Sequence, residues 1–281
     1  MSIVLITGDH PRHRYLARQV MACGLPVTWF AEQREHFTPP PPAHLNRHLA
    51  TLWQRHFSLR DECEHSYFSQ HGAPLDAAIP ITSAQLNADD LISHLRQLQP
   101  RLLLSYGCHK LSPALLSCFD GMAWNVHGGL SPWYRGCITH FWPSYLLEPQ
   151  MTGMTLHTTT EAIDGGDILY QSAVTPRRGD RLHDLACRAV REFSDALPEV
   201  LGTLLASGQP VAGIRPASSG RIWTARMWQP QHLELIYGQM EDKIVDYCLD
   251  SGVAMPAAKL LCVESLAPLL SSRHAPATLS N

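Results

Sequence analysis

The features that would mark a metal or redox protein are missing from this chain. Its eight cysteines, at 23, 63, 108, 118, 137, 187, 248 and 262, include no C-x-x-C pair, and no histidines join them at zinc-site spacing. They read as reduced core or surface thiols. An excess of positive charge is missing too, since 22 Lys and Arg stand against 25 Asp and Glu for a net charge of −3. A broad nucleic-acid footprint needs clustered cations, so the charge argues against that class; it does not argue against a small anionic substrate, which one or two arginines can hold. No apolar run nears the roughly 18 residues of a membrane span. The opening run Ile3–Thr7 lacks the basic start and cleavage site of a signal peptide, so a cytoplasmic protein is expected. The turn after it, Gly8-Asp9-His10-Pro11-Arg12-His13, is not G-x-G-x-x-G, and no dinucleotide site is expected there.

Apolar residues at 45% and charged residues at 17% describe a globular chain, long enough to bury a sizeable core. Ile3–Thr7, a helical repeat through Leu16, Val20 and Cys23, and Pro26–Phe30 read strand, helix, strand, the opening of an α/β fold with a parallel-rich sheet. His10, Arg12, His13 and Arg14 at the helix start could meet an anion or form a solvated face. After the spacer Pro39–Pro42, His44–Gln70 lacks Gly and Pro and reads as one long helix or two short ones; Arg55, Arg60 and His65 are candidate substrate contacts on it. Ile79–Thr82 reads as a strand, Asn87–Gln97 as a helix capped by Asn87, and Leu102–Leu111 as the central buried strand and its exit. Ile168–Val174 reads as a strand and Leu182–Leu205 as a long amphipathic helix that Pro198 should kink. Ala212–Gly220 has the composition of a linker, an amphipathic helix is expected through Leu233, Ile236, Met240, Ile244 and Tyr247, and Pro268–Asn281 reads as a loose terminus. The domain division expected is 1–210, then 211–281 as a linker and small helical C-terminal region.

The stretch that carries chemistry is Trp124–Gly136, WNVHGGLSPWYRG. Asn125 and His127 are two apart at the end of a strand, so both side chains face one crevice. An Asn amide can hold a developing oxyanion and a His can carry a proton, the two requirements of acyl transfer. Downstream, Gly153–Leu169 reads GMTLHTTTEAIDGGDIL, an apolar strand and a polar loop ending in Asp164-Gly165-Gly166.

Asn-x-His, then Leu-x-Pro-x-x-Arg-Gly, Thr-Gly and Asp-Gly in this order resemble the formyltransferases that use 10-formyltetrahydrofolate, which act on glycinamide ribonucleotide, methionyl-tRNA or sugar nucleotides. The resemblance covers roughly residues 102–208 and implies a Rossmann-like formyltransferase fold. It places the catalytic Asn, His and Asp on Asn125, His127 and Asp164. It places folate contacts at Cys108, His109, Lys110 and Leu111, partly through backbone groups, and at Ile163 and Gly165 beside the Asp. Arg135 would hold a substrate phosphate or carboxylate, and Gly128, Gly129 and His140 would flank the substrate. The pair Gly128-Gly129 departs from the family's usual residues, and His140-Phe141-Trp142 opens a helix whose first use is packing. The implied reaction moves a formyl group from 10-formyltetrahydrofolate to a primary amine, with Asp164 orienting His127 and raising its pKa. The tail lacks a basic barrel for tRNA, which leaves a small-molecule amine, of a sugar nucleotide or of a secondary-metabolite precursor such as a siderophore amino acid. No metal, nucleic-acid or membrane partner is expected, and a homodimer is left open.

Other readings use the same residues. A formyltetrahydrofolate hydrolase would replace the amine by water, although such enzymes carry an extra N-terminal domain. A catalytically inactive folate-binding module, or a metal site on His127, His140, His157 and Asp164, belongs to a different class; those residues lack helical i, i+4 ligand spacing.

Overall fold

The computed structural model describes residues 2–33, 39–119 and 122–273. Its sheet is built on β1 (Ile3–Gly8) and β4 (Leu102–Tyr106), whose residues are buried throughout. Apolar runs of this kind suit strands covered on both faces, as in a parallel sheet. The strand order among the described residues is β3-β2-β1-β4-β5-β7-β8. Strands β2 (Val27–Glu32), β3 (Ile79–Ile81) and β5 (Ala123–His127) run parallel with β1 and β4, while β7 (Gly153–Thr158) and β8 (Ile168–Ala173) add antiparallel neighbours at one edge. The parallel-rich α/β expectation therefore holds.

Side-chain alternation sorts the core onto two faces. Ile3, Leu5, Leu102 and Leu104 pack beneath α1 (Pro11–Met21), α2 (Arg47–Phe68) and α6 (Leu182–Leu205). Val4, Ile6 and Leu103 face α3 (Asp89–Leu98) and α4 (Pro113–Leu116). Phe193, Leu197 and Leu201 of α6 are fully buried, each contributing about 1.5–3 kcal/mol through apolar surface removed from water. The 44–70 segment resolves to one helix, because Asn46 caps it by accepting the Leu49 N–H at 2.8 Å and no breaker follows.

A third apolar cluster joins α2 and α5 (Trp142–Tyr145) to the C-terminal part of the chain through Trp53, Phe57, Phe141, Trp223, Trp228 and Ile236. There β6 (Arg135–Gly136) pairs with β9 (Ile222–Trp223), and Ile214 bridges Ile168, so the segment read as a linker is fastened by backbone bonds at both ends.

Three local expectations are corrected. Asn87 does not cap α3, whose N-cap is Ala88; the Asn87 amide instead donates to the Lys110 carbonyl at 3.0 Å and accepts the Ser112 N–H at 2.7 Å, stapling the loop after β4. The helix expected through 233–247 is broken into a π-type turn, Glu234–Gln239, and α7 (Ile244–Asp250) by left-handed Glu241 and Asp242. That break lets buried Asp242 accept the Leu182 N–H at 3.0 Å, an orphan donor at the start of α6. Finally, Ala267–Arg273 is a helix, α8, anchored by buried Leu269 and preceded by buried Leu266; the rest of the expected loose terminus lies outside the described residues.

Two predictions come from this packing. A Cβ on Gly166 would stand 1.6 Å from the Thr158 carbonyl oxygen, whereas one on Gly202 of α6 would meet nothing within 4 Å. Urea unfolding should show Gly166→Ala losing about 2–3 kcal/mol and Gly202→Ala gaining about 0.5–1 kcal/mol. Equal effects would contradict the packing. Secondly, His56 and His183 are buried together, His56 Nδ1 2.8 Å from the Tyr237 hydroxyl and His183 Nε2 3.0 Å from the His56 carbonyl oxygen. Burial holds both below the ordinary 6.5, His183 at about 4. With folded pKa values depressed, the unfolded chain takes up protons first as the pH falls. Stability should therefore drop below pH 6.5 by up to about 1.4 kcal/mol per pH unit per histidine. A flat stability between pH 7 and pH 5 would refute this.

Candidate active site

Parallel strands open a crevice beyond their C-terminal ends, and β4 and β5 end side by side here. Register places Asn125 between Ser105 of β4 and His157 of β7. The Ser105 hydroxyl donates to Asn125 Oδ1 at 2.8 Å, which turns Nδ2 toward His157 Nε2 at 3.2 Å. His157 Nδ1 donates to the Thr158 carbonyl at 2.8 Å, so its Nε2 is an acceptor in the neutral ring and receives one amide N–H of Asn125. The second N–H is left for the cavity that Asn125 lines.

His127, two residues on, is 6% exposed. Its Nε2 lies 2.6 Å from the Tyr134 carbonyl oxygen, which requires the proton on Nε2, and its Nδ1 faces Asp164 Oδ2 at 3.4 Å. Burial lowers the His127 pKa, and the opposing pull of Asp164 and of the Tyr134 carbonyl does not restore it. The Asp164 carboxylate acts to raise this pKa, the direction expected of it, but desolvation is larger and leaves the ring neutral at pH 7.

Asp164 adopts φ 42°, a left-handed conformation that Asp tolerates better than most residues. From this turn Oδ2 accepts the Gly136 N–H at 2.8 Å and Oδ1 lies 3.6 Å from His157 Nε2. Burial works to raise its pKa, but His157, attraction to the His127 ring when it is protonated, and the Gly136 N–H outweigh it and hold the carboxyl at about 2. An ionised carboxylate thus bridges two buried imidazoles. Two glycines make room for it. A Cβ on Gly129 would lie 2.3 Å from the Tyr134 oxygen and 2.8 Å from His127 Nε2, and one on Gly165 would lie 2.6 Å from Arg135 Nη2.

Asn125, His127, Gly128, His140, Ile163 and Asp164 line one cavity of about 1250 Å³ together with Cys108, His109, Lys110 and Leu111. That last loop is rigidly held: buried Glu32 accepts the His109 N–H at 2.9 Å and pairs with His109 Nδ1 at 2.6 Å, while Asn87 ties the next turn. Gly129, Gly165 and Arg135 stand behind the cavity wall. Arg135, expected to meet a substrate anion, is buried with its guanidinium donating to the carbonyls of Ile163 and Ser219, so it clamps the Asp164 turn instead. His140 donates toward the Gly153 carbonyl at 3.1 Å, and burial lowers its pKa to about 4, so it is a neutral wall residue.

Of the weaker candidates, Arg12 and Arg60 reach the cavity, whereas Arg14 donates to the Ala73 carbonyl and Arg55 lies over the Tyr237 ring. Ser105, which orients Asn125, was missed as a site residue, and His157, which does so from the other side, was named only as a ligand of the alternative metal site. The clue available was parity alone, since Thr155 and His157 alternate onto one face of their strand. The metal-site reading gains nothing: among the described residues no group of three His, Cys, Asp or Glu could hold an ion, and no helix among them is long and apolar enough to cross a membrane.

Solved structures with a similar fold include a sugar N-formyltransferase from a Shewanella species (TM-score 0.55, 16% identity, covering 84% of this chain and 87% of that one). A phosphoribosylglycinamide formyltransferase from Anaplasma phagocytophilum matches at TM-score 0.54 and 14% identity over 80% and 98% of the chains. A sugar 3N-formyl transferase solved in the presence of dTDP and 5-N-formyl-THF matches at TM-score 0.51 and 14% identity over 82% and 72%. These likenesses establish the shared fold. The sequence profile of the formyl transferase family matches residues 48–201, more than half of the protein and the part that contains Asn125, His127 and Asp164, and the chain belongs to that family.

Proposed function

We propose that this formyltransferase takes its formyl group from 10-formyltetrahydrofolate and passes it to the primary amine of a small molecule, a nucleotide-linked amino sugar or an amine precursor of a secondary metabolite such as a siderophore amino acid. The observation that carries the reading is the convergence of a fixed Asn125 amide, a neutral His127 and an ionised Asp164 on one cavity. A flat heteroaromatic donor fits the branch beside them. Leu111, Leu116 and Val126 supply apolar walls, the fixed backbone of 108–111 supplies hydrogen-bonding edges, and the buried Thr159 hydroxyl has no protein partner. A structural relative was solved with a folate of this kind.

Amine attack on a formyl carbon builds charge on the formyl oxygen and leaves a proton to be removed from nitrogen. Asn125, locked between Ser105 and His157, offers its free N–H to that oxygen without having to reorganise. His127, neutral and with its Nδ1 lone pair set against the Asp164 carboxylate, is an acceptor for the proton, directly or through a water. Two acceptors 3.4 Å apart repel until a proton lies between them, so Asp164 stabilises the imidazolium that forms; when the tetrahedral adduct collapses and the bond from the formyl carbon to the folate N10 breaks, the imidazolium returns that proton to the departing nitrogen. Water in place of the amine would make the protein a hydrolase. The large aromatic lobe of the cavity, formed in part by Trp53, Phe57 and Trp228, favours an organic acceptor.

Asp164→Asn isolates the charge, because Asn keeps the size and tolerates the left-handed turn. Its kcat should fall about 100-fold or more while tetrahydrofolate affinity stays within a few-fold. Wild-type activity should rise with pH through a His127 pKa below 6.5 and be flat at neutrality. In the variant that limb should move to still lower pH, since the carboxylate that raised the pKa is gone. Near-normal turnover with an unchanged pH profile would overturn the assignment.

A further inference from the structure

The loop after β4 lines the branch of the cavity beside the triad, and a residue distant in sequence governs how that loop is presented. Glu32 closes β2 between Gly8 of β1 and Ile81 of β3, and it is fully buried. Both of its carboxylate oxygens are turned on one residue: Oε2 accepts the His109 N–H at 2.9 Å, and Oε1 lies 2.6 Å from His109 Nδ1. A carboxylate cut off from water is costly unless donors meet it, and here both donors belong to the cavity wall.

This pairing fixes more than the backbone. An ionised carboxylate can only accept, so in the neutral ring the proton sits on Nδ1 and Nε2 keeps its lone pair. The Nδ1 edge is sealed against a side chain with no exposure, whereas the His109 side chain is 60% exposed and lines the cavity. The exposed edge of the ring is therefore the one that carries Nε2, which has no hydrogen-bond partner among the described residues. Its neighbours in the loop do not supply the same function. Cys108 is a weak acceptor, Lys110 is a donor that reaches the Glu161 carbonyl at 3.4 Å, and Leu111 is apolar. A lone-pair acceptor on the wall of a largely apolar slot selects a flat ligand that carries N–H groups on its rim. The aminopyrimidinone edge of a pteridine has them, an exocyclic amine beside a ring N–H.

We propose that His109 is a specificity-determining residue for the donor, its Nε2 accepting an N–H of the exocyclic amine of the pteridine, and that Glu32 is the positioning residue that holds the ring proton on Nδ1. This rests on the reading of the donor as a folate. Glu32→Gln then acts as a tautomer switch. With the Gln carbonyl on the His109 N–H, its amide turns an N–H toward Nδ1, the ring proton moves to Nε2, and donor faces donor across the slot.

Calorimetry on the full chain tests the contact with two probes, tetrahydrofolate and its 2-desamino-2-methyl analogue, which lacks the exocyclic amine. The wild type should prefer tetrahydrofolate by about tenfold or more. His109→Ala should narrow that preference to about threefold or less, and Glu32→Gln should do the same although the imidazole is still present. Nitrogen-15 NMR should find the neutral His109 ring protonated on Nδ1 in the wild type and on Nε2 in Glu32→Gln, a change that a carboxylate serving only to hold the loop would not govern. If Glu32→Gln loses its fold by circular dichroism, His109→Ala and the wild-type tautomer decide. A preference absent from the wild type or unchanged in the folded variants, or a wild-type ring protonated on Nε2, would overturn the proposal and leave the folate donor standing. A wild type that binds neither pteridine would refute the donor reading, and the proposal with it.

Discussion

Keeping a carboxylate ionised inside a protein requires donors or positive charge to replace the water it has lost. At Asp164 the donor at neutral pH is the Gly136 N–H at 2.8 Å, and the imidazoles of His127 and His157, at 3.4 and 3.6 Å, are placed to add attraction when they carry a proton. Each of these comes from a different element, β6, β5 and β7, so holding one charge fixes how three parts of the chain meet. The clamp behind the turn serves the same end. Arg135 grips the carbonyls on either side of the cleft wall, and Gly129 and Gly165 leave it and His127 the room to approach.

The antiparallel edge of the sheet has a direct consequence for chemistry. Because β7 runs against β5, His157 falls opposite Asn125 and Thr155 opposite His127. A register slip of one residue would turn both partners away. The amide orientation, and with it the free N–H in the cavity, is therefore a property of strand pairing rather than of the Asn-x-His pattern alone.

Much of this was legible in the chain. The buried runs at Ile3–Thr7 and after Leu102 have the composition of strands covered on both faces, and α6 follows its 3.6-residue period from Leu182 to Leu204. Asn125 and His127 stood out by their chemistry and their two-residue spacing at a strand end, and Asp164 through the resemblance to the formyltransferases. What escaped was set by tertiary partners. Arg135 looked like an anion ligand, but a guanidinium near carbonyls of two loops is captured by them. Asn87 precedes a helix yet is taken by the Lys110–Ser112 loop. The helix expected through 233–247 breaks because Asp242 is needed at the start of α6.

The state of His127 decides whether this site can do proton chemistry at neutral pH. Nitrogen-15 NMR of the labelled protein, followed through a pH titration, reads its tautomer and pKa directly. The expected result is a neutral ring at pH 7 protonated on Nε2, titrating below 6.5. An imidazolium at pH 7, or a neutral ring protonated on Nδ1, would contradict the geometry on which the proposed chemistry depends.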